Sequence, residues 1–342
     1  MAAIALLTAL AAVARYAGGV SHVLAFALAT LALAGAAWIV SFSTEQVGER
    51  YGPAVTGFMQ STLGNLPEFF VVLFALDAAE KTVAETAILG SILVNALLVL
   101  GLVIVAGARR ERDGIMRFRP NLPNDTATLL LIATFIIVLV GLATASHDPA
   151  SHHVKTISII GAVAILLVYL TWMIGYLRSD ESLGAAPPPR IPLRTSVVLL
   201  ALAGVASAFV SDWFVHALEP TVHTLHISQA FAGLVIVAIA GNAVENVAGI
   251  VLAAKGKSDL AISVVKNSVA QIAAFLYPAL VLVSLLTATT LTFTIAPVYI
   301  GALFGTAVII WQISGDGEAT VFEGAALVAA FVILATVASF ES

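Results

Sequence analysis

The sequence predicts an all-α polytopic membrane protein with eleven transmembrane helices, one extra helix followed by two inverted five-helix repeats. Three observations lead to this fold class. Hydrophobic residues make up 60% of the 342 positions and charged residues only 10%, against about 25% charged in soluble domains. Apolar runs long enough to cross a bilayer follow one another along the chain. Finally, a polar motif inside these runs recurs 177 positions later.

The apolar runs define the predicted spans, because a span needs about 20 apolar residues. The first run is short and Ala-rich, and a cleaved signal peptide is the alternative interpretation. No basic residue precedes it, so we expect a retained helix. Continuous apolar runs exclude a barrel of alternating strands. The spans lie near residues 2–16, 20–41, 53–76, 82–107, 125–145, 155–177, 195–218, 228–254, 259–287, 291–312 and 322–340.

Lys and Arg in the short loops predict the orientation. With the N-terminus inside, the inside loops carry eleven basic residues and the outside loops three. This positive-inside bias predicts a cytoplasmic N-terminus and a C-terminus outside. Short loops and Ala-rich spans are typical of a prokaryotic plasma membrane. The inside residues are Arg50, Arg109, Arg110, Arg112, Arg117, Arg119, Arg178, Arg190, Arg194, Lys255 and Lys257, and the outside ones Arg15, Lys81 and Lys155.

The domain organisation follows from the span count. An extra helix in 1–19 precedes five spans in 20–178, and a cytoplasmic linker at 179–193 with three successive prolines leads to five more in 194–342. A five-span unit ends on the side opposite its start, so the second copy is inverted. Inverted repeats with broken helices near the midplane are the architecture of many secondary transporters.

The repeated motif places a carboxylate about 14 or 15 Å from the nearer end of its span, which is about half of the hydrocarbon thickness. A buried charge is costly unless it is paired, protonated or bound to a cation, so an intramembrane carboxylate indicates function. The matched positions are Gly64 and Gly241, Asn65 and Asn242, Glu68 and Glu245, and Ser91 and Ser268.

The motif is expected to open its helix. Gly64 lacks a side chain, and Pro67 cannot donate to the carbonyl of Leu63. Gly241 and Asn242 do the same in the second copy without a proline. The exposed carbonyls, the asparagines and the carboxylates are hard ligands suited to Ca²⁺ or Na⁺. The partner spans add two polar pairs at helical spacing, Ser91 with Asn95 and Ser268 with Gln271.

A structural alternative exists for these polar residues, since small and polar side chains commonly join helices in membranes. That interpretation is favoured for Ser91, Asn95 or Ser268 taken alone. For Glu68 and Glu245 an ion site is favoured, because carboxylates at membrane depth are costly without a partner.

Two pairs of segments carry a family resemblance: GNLPEFFVVLFAL with ILGSILVNALLVLG, and GNAVENVAGIVLAAKGKSDLAI with NSVAQIAAFLYP. They resemble the two alpha-repeats of the cation/H⁺ exchanger branch of the calcium/cation antiporter superfamily. The resemblance spans the whole chain in its one-plus-five-plus-five arrangement. It implies Ca²⁺/H⁺ antiport, with Ca²⁺ as the transported substrate and Glu68 and Glu245 as the Ca²⁺ ligands and proton carriers.

The chain departs from this branch at several positions. Leu66-Pro67 replaces Ala-Thr, Asn246 stands where His is frequent, Asn267 replaces a Gly, and Val94 replaces a Ser. Lys266 lies about 10 Å along its span. It either snorkels to the cytoplasmic surface or neutralises a site glutamate, which would favour Na⁺/H⁺ or K⁺/H⁺ exchange over Ca²⁺/H⁺ exchange.

Other functions are less favoured by the sequence. A passive cation channel with a ring of carboxylates is one alternative, although duplicated inverted halves favour a carrier. We expect no enzyme and no cofactor, since no constellation for chemistry accompanies the glutamates and no nucleotide-binding loop is present. Basic residues are too scattered for nucleic acid. Apart from Ca²⁺, H⁺ and the bilayer, the sequence leaves a homo-oligomer open.

Overall fold

The computed structural model describes residues 1–17, 19–48, 50, 59, 63–118, 121–178 and 189–341, without the side chains at 48, 121–127, 176–178, 244, 245 and 314. Most of the described residues are helical. Much of the predicted span near 53–76, most of the predicted linker at 179–193, and Arg119 lie outside the described residues.

The first half of the chain contains seven α-helices, one π-helix and one strand among its described residues. Helices α4, π1 and α5 follow without interruption and form one 28-residue span. The elements are α1 (Ala2–Tyr16), α2 (His22–Gly48), α3 (Leu66–Asp77), α4 (Lys81–Leu93), π1 (Val94–Val99), α5 (Leu100–Ala108), β1 (Ile115–Arg117), α6 (Asn121–Ala145) and α7 (Val154–Arg178).

The second half begins with the long helix α8 (Leu193–Leu225). A broken span follows, in which Gln229–Gly241 and Asn246–Ala254 meet at a bend of 60°. Its parts are α9 (Gln229–Phe231), π2 (Ala232–Val237), α10 (Ala238–Gly241) and α11 (Ala243–Ala254). The remaining elements are α12 (Ser258–Gln271), π3 (Ile272–Leu276), α13 (Tyr277–Val283), α14 (Pro297–Ser314), β2 (Glu318–Thr320) and α15 (Val321–Ser339).

The membrane-protein class is confirmed by the length and composition of these helices. Within the described residues, 7 helices are long and apolar enough to cross a membrane, or 8 if the bent pair forms one span. Helix α1 and Pro297–Ile313 are apolar but shorter. The total of eleven spans stays a prediction, because the count also depends on residues near 53–62 that the structure does not describe.

Helix boundaries recur at the predicted offset. Helix α11 begins and ends 177 positions after α3, and α12 begins 177 positions after α4. π3 covers five of the six positions that correspond to π1. The two motif regions therefore share one local structure. The inversion of the second copy stays a prediction.

Close helix contacts between the two halves include the following two pairs. The longest helices, α2 and α8, pack along each other. Helix α4 crosses π2 at backbone distance, since a Cβ on Gly90 would lie 2.4 Å from the Leu234 carbonyl oxygen and one on Gly233 would lie 2.1 Å from Thr86 Oγ1. Only glycine permits so close an approach at these two positions.

A short antiparallel ribbon marks one end of the bundle. Strands β1 and β2 pair with Ile115 opposite Thr320 and Arg117 opposite Glu318. Nearby, Arg110 Nη1 donates to the Ala254 carbonyl at the end of α11, at 3.0 Å. We call this end the ribbon face. These contacts join loops that the predicted topology puts on one side, whereas the side that is cytoplasmic stays a prediction.

The opposite face lies at the other end of the same spans. Gln229 Nε2, at the start of the broken span, donates to Glu80 Oε2 at 2.8 Å, just before α4 begins. Because α4 to α5 and the broken span each run from this contact to the ribbon face, both spans cross the bundle in the same direction.

Candidate functional site

Glu68 lies in the first turn of α3, directly after a break in the backbone. Asn65 precedes the helix with φ −89° and ψ 13°, and Pro67 occupies the first turn, where its missing N–H is not needed. The helix dipole favours a negative charge at this end. Only 4% of the Glu68 surface is exposed, so the carboxylate is buried in the bundle.

Donors from both halves of the chain converge on one Glu68 oxygen. Oε1 accepts hydrogen bonds from the Ser91 hydroxyl and from Nδ2 of Asn242. The same Nδ2 lies 3.1 Å from Ser91 Oγ and 3.0 Å from the Ala238 carbonyl oxygen. Hydrogen bonds to the charged form stabilise a carboxylate. The three side chains form a buried cluster, which we call the Glu68 cluster.

Gly241 lets the second half approach this carboxylate. A Cβ at Gly241 would lie 2.7 Å from Glu68 Cγ and 2.9 Å from its Oε1. The following residue, Asn242, leaves the helical conformation with φ −100° and ψ 11°. The second motif thus breaks its helix directly against the carboxylate of the first.

Glu245 belongs to α11 by its backbone, three residues after the break at Asn242. Its side chain lies outside the described residues. The part that Glu245 plays in the site therefore stays a prediction.

The other predicted site residues divide into two groups. Asn95 Nδ2 donates to Ser268 Oγ at 3.3 Å, a second contact between the halves beside the Glu68 cluster. Within the described part of the chain, no side-chain hydrogen bond joins Asn65 or Gln271 to the cluster. Asn65 is nonetheless buried, and Gln271 is half-buried at the end of α12.

The π-helices give the partner spans a geometry that the sequence spacing did not predict. Asn95 is the second residue of π1, and Gln271 directly precedes π3. A π-turn shifts the following side chains around the helix axis and occurs frequently at functional sites. Asn95 donates to Ser268, while Ser91, about one turn earlier, contacts Glu68.

Several buried polar atoms have no hydrogen-bond partner among the described residues: Asn65 Nδ2, Asn242 Oδ1 and Asn246 Oδ1. Buried amides are nearly always hydrogen-bonded, so amide oxygens left open beside a carboxylate are suited to a hard cation. The described residues contain no group of three or more His, Asp or Glu that could hold a metal ion.

Lys266 lies inside the bundle, with 6% of its surface exposed. Its Nζ has no hydrogen-bond partner among the described residues. The residue lines a small apolar cavity together with Ala96, Leu100, Leu130, Val265, Val269 and Ile310. No described carboxylate lies within 4 Å of Nζ. In this conformation the ammonium reaches neither the surface nor Glu68.

Sequence reasoning missed Ser211, a fully buried residue of α8. Its hydroxyl donates to the carbonyl of Pro67 at 3.2 Å and so holds the backbone one residue before Glu68. Two buried serines one helical turn apart, Ser207 and Ser211, were the available signal.

Ionisable groups at the two faces are also perturbed. On the opposite face, burial and the nearby charge of Glu219 raise the pKa of the Glu80 carboxyl. On the ribbon face, the hydrogen bond from Arg117 lowers the pKa of Asp113.

Comparisons with known proteins agree on one family. The family model described as sodium/calcium exchanger protein matches residues 21–177 and 195–340. The vacuolar calcium ion transporter of Schizosaccharomyces pombe is 33% identical over 326 residues, covering 90% of this chain and 77% of that protein. The Ca²⁺/H⁺ antiporter ChaA of Bacillus subtilis is 30% identical over 318 residues, covering 91% and 90%. The solved structure of native YfkE superposes with a TM-score of 0.82 at 26% identity, covering 99% and 98%.

Proposed function

Because this chain belongs to the sodium/calcium exchanger protein family, we propose that it exchanges Ca²⁺ for H⁺ across a membrane. Members of the family are transporters, which confirms the prediction that the chain is not an enzyme. The relatives described above as a Ca²⁺/H⁺ antiporter and a calcium ion transporter support Ca²⁺ as the transported substrate.

The observation that carries the proposal is the Glu68 cluster. A carboxylate buried at 4% exposure accepts hydrogen bonds from Ser91 in its own half and from Asn242 in the other half. Burying an ionised carboxylate is costly unless a cation, a proton or hydrogen-bond donors compensate its charge. The cluster therefore favours a carboxylate that exchanges a proton for a cation.

In the proposed mechanism Glu68 and Glu245 share Ca²⁺ and protons. When both are deprotonated they bind Ca²⁺ together with neutral oxygens from Asn65, Asn242, Ser91, Asn95, Ser268 and Gln271. In the absence of the cation, two like charges repel, and this raises their affinity for protons. Proton and Ca²⁺ therefore compete for one site.

Transport of Ca²⁺ and of protons is coupled if the site can change the side to which it opens only while Ca²⁺ or protons are bound. Two unpaired carboxylates are too costly to enclose without water, so the empty deprotonated site stays open to one side. The two halves then move against each other with Ca²⁺ or with protons bound, which is alternating access. We place the protein in a prokaryotic plasma membrane with the ribbon face cytoplasmic and Ca²⁺ driven outward.

Proteoliposomes loaded with a pH-sensitive dye test the proposal. Adding Ca²⁺, Na⁺ or K⁺ in turn is expected to give a saturable proton flux with Ca²⁺. Glu68→Gln and Glu245→Gln keep the size of each side chain but remove its charge, and each is expected to abolish the flux. Exchange at the wild-type rate in either variant would refute the assignment of that glutamate.

Two alternative functions have distinct outcomes in the same vesicles. A proton flux with Na⁺ or K⁺ alone would keep the fold and the glutamates and change the substrate. Calcium movement without saturable counterflow of labelled Ca²⁺ would indicate a passive channel.

A further inference from the structure

Asn246 is a buried amide that the proposed mechanism does not use. Only 8% of its surface is exposed, and its Oδ1 has no hydrogen-bond partner among the described residues. Leaving a buried acceptor unpaired destabilises a fold. An apolar side chain at position 246 would avoid this cost, so the presence of an amide there indicates a function.

Helical geometry places Asn246 next to the Glu68 cluster. It lies four residues after Asn242 and three before Gly249, so the three share one face of the broken span. Asn242 contacts Glu68, and a Cβ on Gly249 would lie 3.0 Å from Val265 Cγ2 and 3.3 Å from Val103 Cγ2. This face therefore points into the bundle between α5 and α12, with Asn246 about 6 Å from Asn242 along the axis.

The contacts at the end of the broken span show towards which face the chain runs from Asn242 to Asn246. Helix α11 ends at Ala254, whose carbonyl accepts from Arg110 on the ribbon face. Asn246 consequently lies on the ribbon side of the Glu68 cluster.

The equivalent positions of the first half are different. Shifted by 177 positions, the sequence Asn242, Asn246 and Gly249 becomes Asn65, Phe69 and Val72. Phe69 packs edge-on against Phe70 with ring centroids 5.6 Å apart, and Val72 is 1% exposed. The ribbon side of the site thus offers an amide and a glycine where the opposite side offers a ring and a branched side chain.

We propose that Asn246 is a cation subsite on the ribbon side of the Glu68 cluster, where its Oδ1 replaces one water of an incoming divalent cation. A neutral amide oxygen is a suitable ligand for Ca²⁺ and holds the ion less tightly than a carboxylate, so the ion can pass on to Glu68. The subsite serves one face alone. This inference rests on the proposed exchange function.

The test measures the KM for Ca²⁺ separately from each face, in everted and in right-side-out membrane vesicles. The chain has no cysteine, so a single Arg112→Cys on the ribbon face and a membrane-impermeant maleimide identify the face exposed in each preparation. Asn246→Leu removes the oxygen at similar volume. It is expected to raise the ribbon-face KM about tenfold, the loss of one ligand, and to leave the opposite-face KM within twofold.

Two further variants separate the subsite from a folding defect. Asn246→Asp adds charge at the same atom and is expected to lower the ribbon-face KM, which misfolding cannot do. Val247→Leu changes the exposed neighbour on the same helix, whose exposure is 61%, and is expected to alter neither KM.

The outcomes also separate this inference from the proposed function. A wild-type protein without Ca²⁺-dependent proton flux from either face would overturn the proposed function. A wild-type protein that exchanges, together with Asn246→Leu and Asn246→Asp variants that leave the ribbon-face KM unchanged or change both KM values equally, would overturn the subsite alone.

Discussion

Gly241→Ala tests the geometry of the Glu68 cluster with the smallest available change. The new Cβ would lie 2.7 Å from Glu68 Cγ, whereas carbon atoms in contact are normally about 3.5–4.0 Å apart. Glu68 must therefore retreat by about 1 Å. That displacement moves its carboxylate away from the donors of Ser91 and Asn242.

A displacement of this size has different expected effects on transport and on folding. Misplacing a reacting group by about 1 Å can cost about 10²-fold in rate. Overpacking a core by one methyl group costs about 1–3 kcal/mol of stability. We expect Ca²⁺-dependent proton flux in proteoliposomes to fall about 10- to 100-fold, while the purified variant stays monodisperse in detergent.

The matched control is Gly301→Ala, since a Cβ at Gly301 has nothing within 4 Å. It makes the same chemical change in another apolar helix and is expected to transport at the wild-type rate. A well-folded Gly241→Ala protein could instead show wild-type flux and an unchanged KM for Ca²⁺. That result would mean that the close approach of residue 241 to Glu68 does not control transport.

Three further predictions address other parts of the molecule. Gly90→Val places a branched side chain against the Leu234 backbone, where even a Cβ would lie 2.4 Å from the carbonyl oxygen. The variant is expected to lose proton flux and to have a lower midpoint of thermal unfolding. Retained flux would show that α4 and π2 can move apart without loss of transport. Lys266→Leu removes an ammonium that lacks a described partner, so we expect a gain of about 2 kcal/mol in stability. Because Nζ does not reach Glu68, the KM for Ca²⁺ is expected to stay unchanged, and a lower KM would show that the ammonium competes for the site. Arg112→Cys in intact bacterial cells is expected to resist an impermeant maleimide until the membrane is opened, because the ribbon face is predicted to be cytoplasmic; labelling of intact cells would reverse the orientation.

The sequence predicted the Glu68 part of the site because burial makes polar residues at membrane depth conspicuous. Glu68, Ser91 and Asn242 stand out within apolar runs, and the offset of 177 positions links the two motifs. All three do meet in the bundle. Which donor contacts which acceptor could not be predicted, because it depends on the approach of two spans that are far apart in the chain.

The features that were missed depend on backbone geometry and on contacts between distant segments. A π-turn adds one residue to a helical turn and leaves no mark in the hydrophobic pattern, so the π-helix that contains Asn95 was not predicted. Ser211 resembles any small polar residue of a membrane helix until its bond to Pro67 is visible. The ribbon of β1 and β2 joins two three-residue strands about 200 positions apart, too short for a pattern of alternation.

The hydrogen bonds of the site fall into two classes that bear on alternating access. Ser91 and Glu68 belong to one half, so their bond survives a rigid movement of that half. The bonds from Asn242 to Glu68 and from Asn95 to Ser268 join the two halves and must change when the halves move. If protonation of Glu68 weakens the bond from Asn242, as loss of charge on the acceptor predicts, then the group that is proposed to bind the substrate also controls the contact between the halves. Binding and movement would then be coupled at a single carboxylate, with no relay through the rest of the bundle.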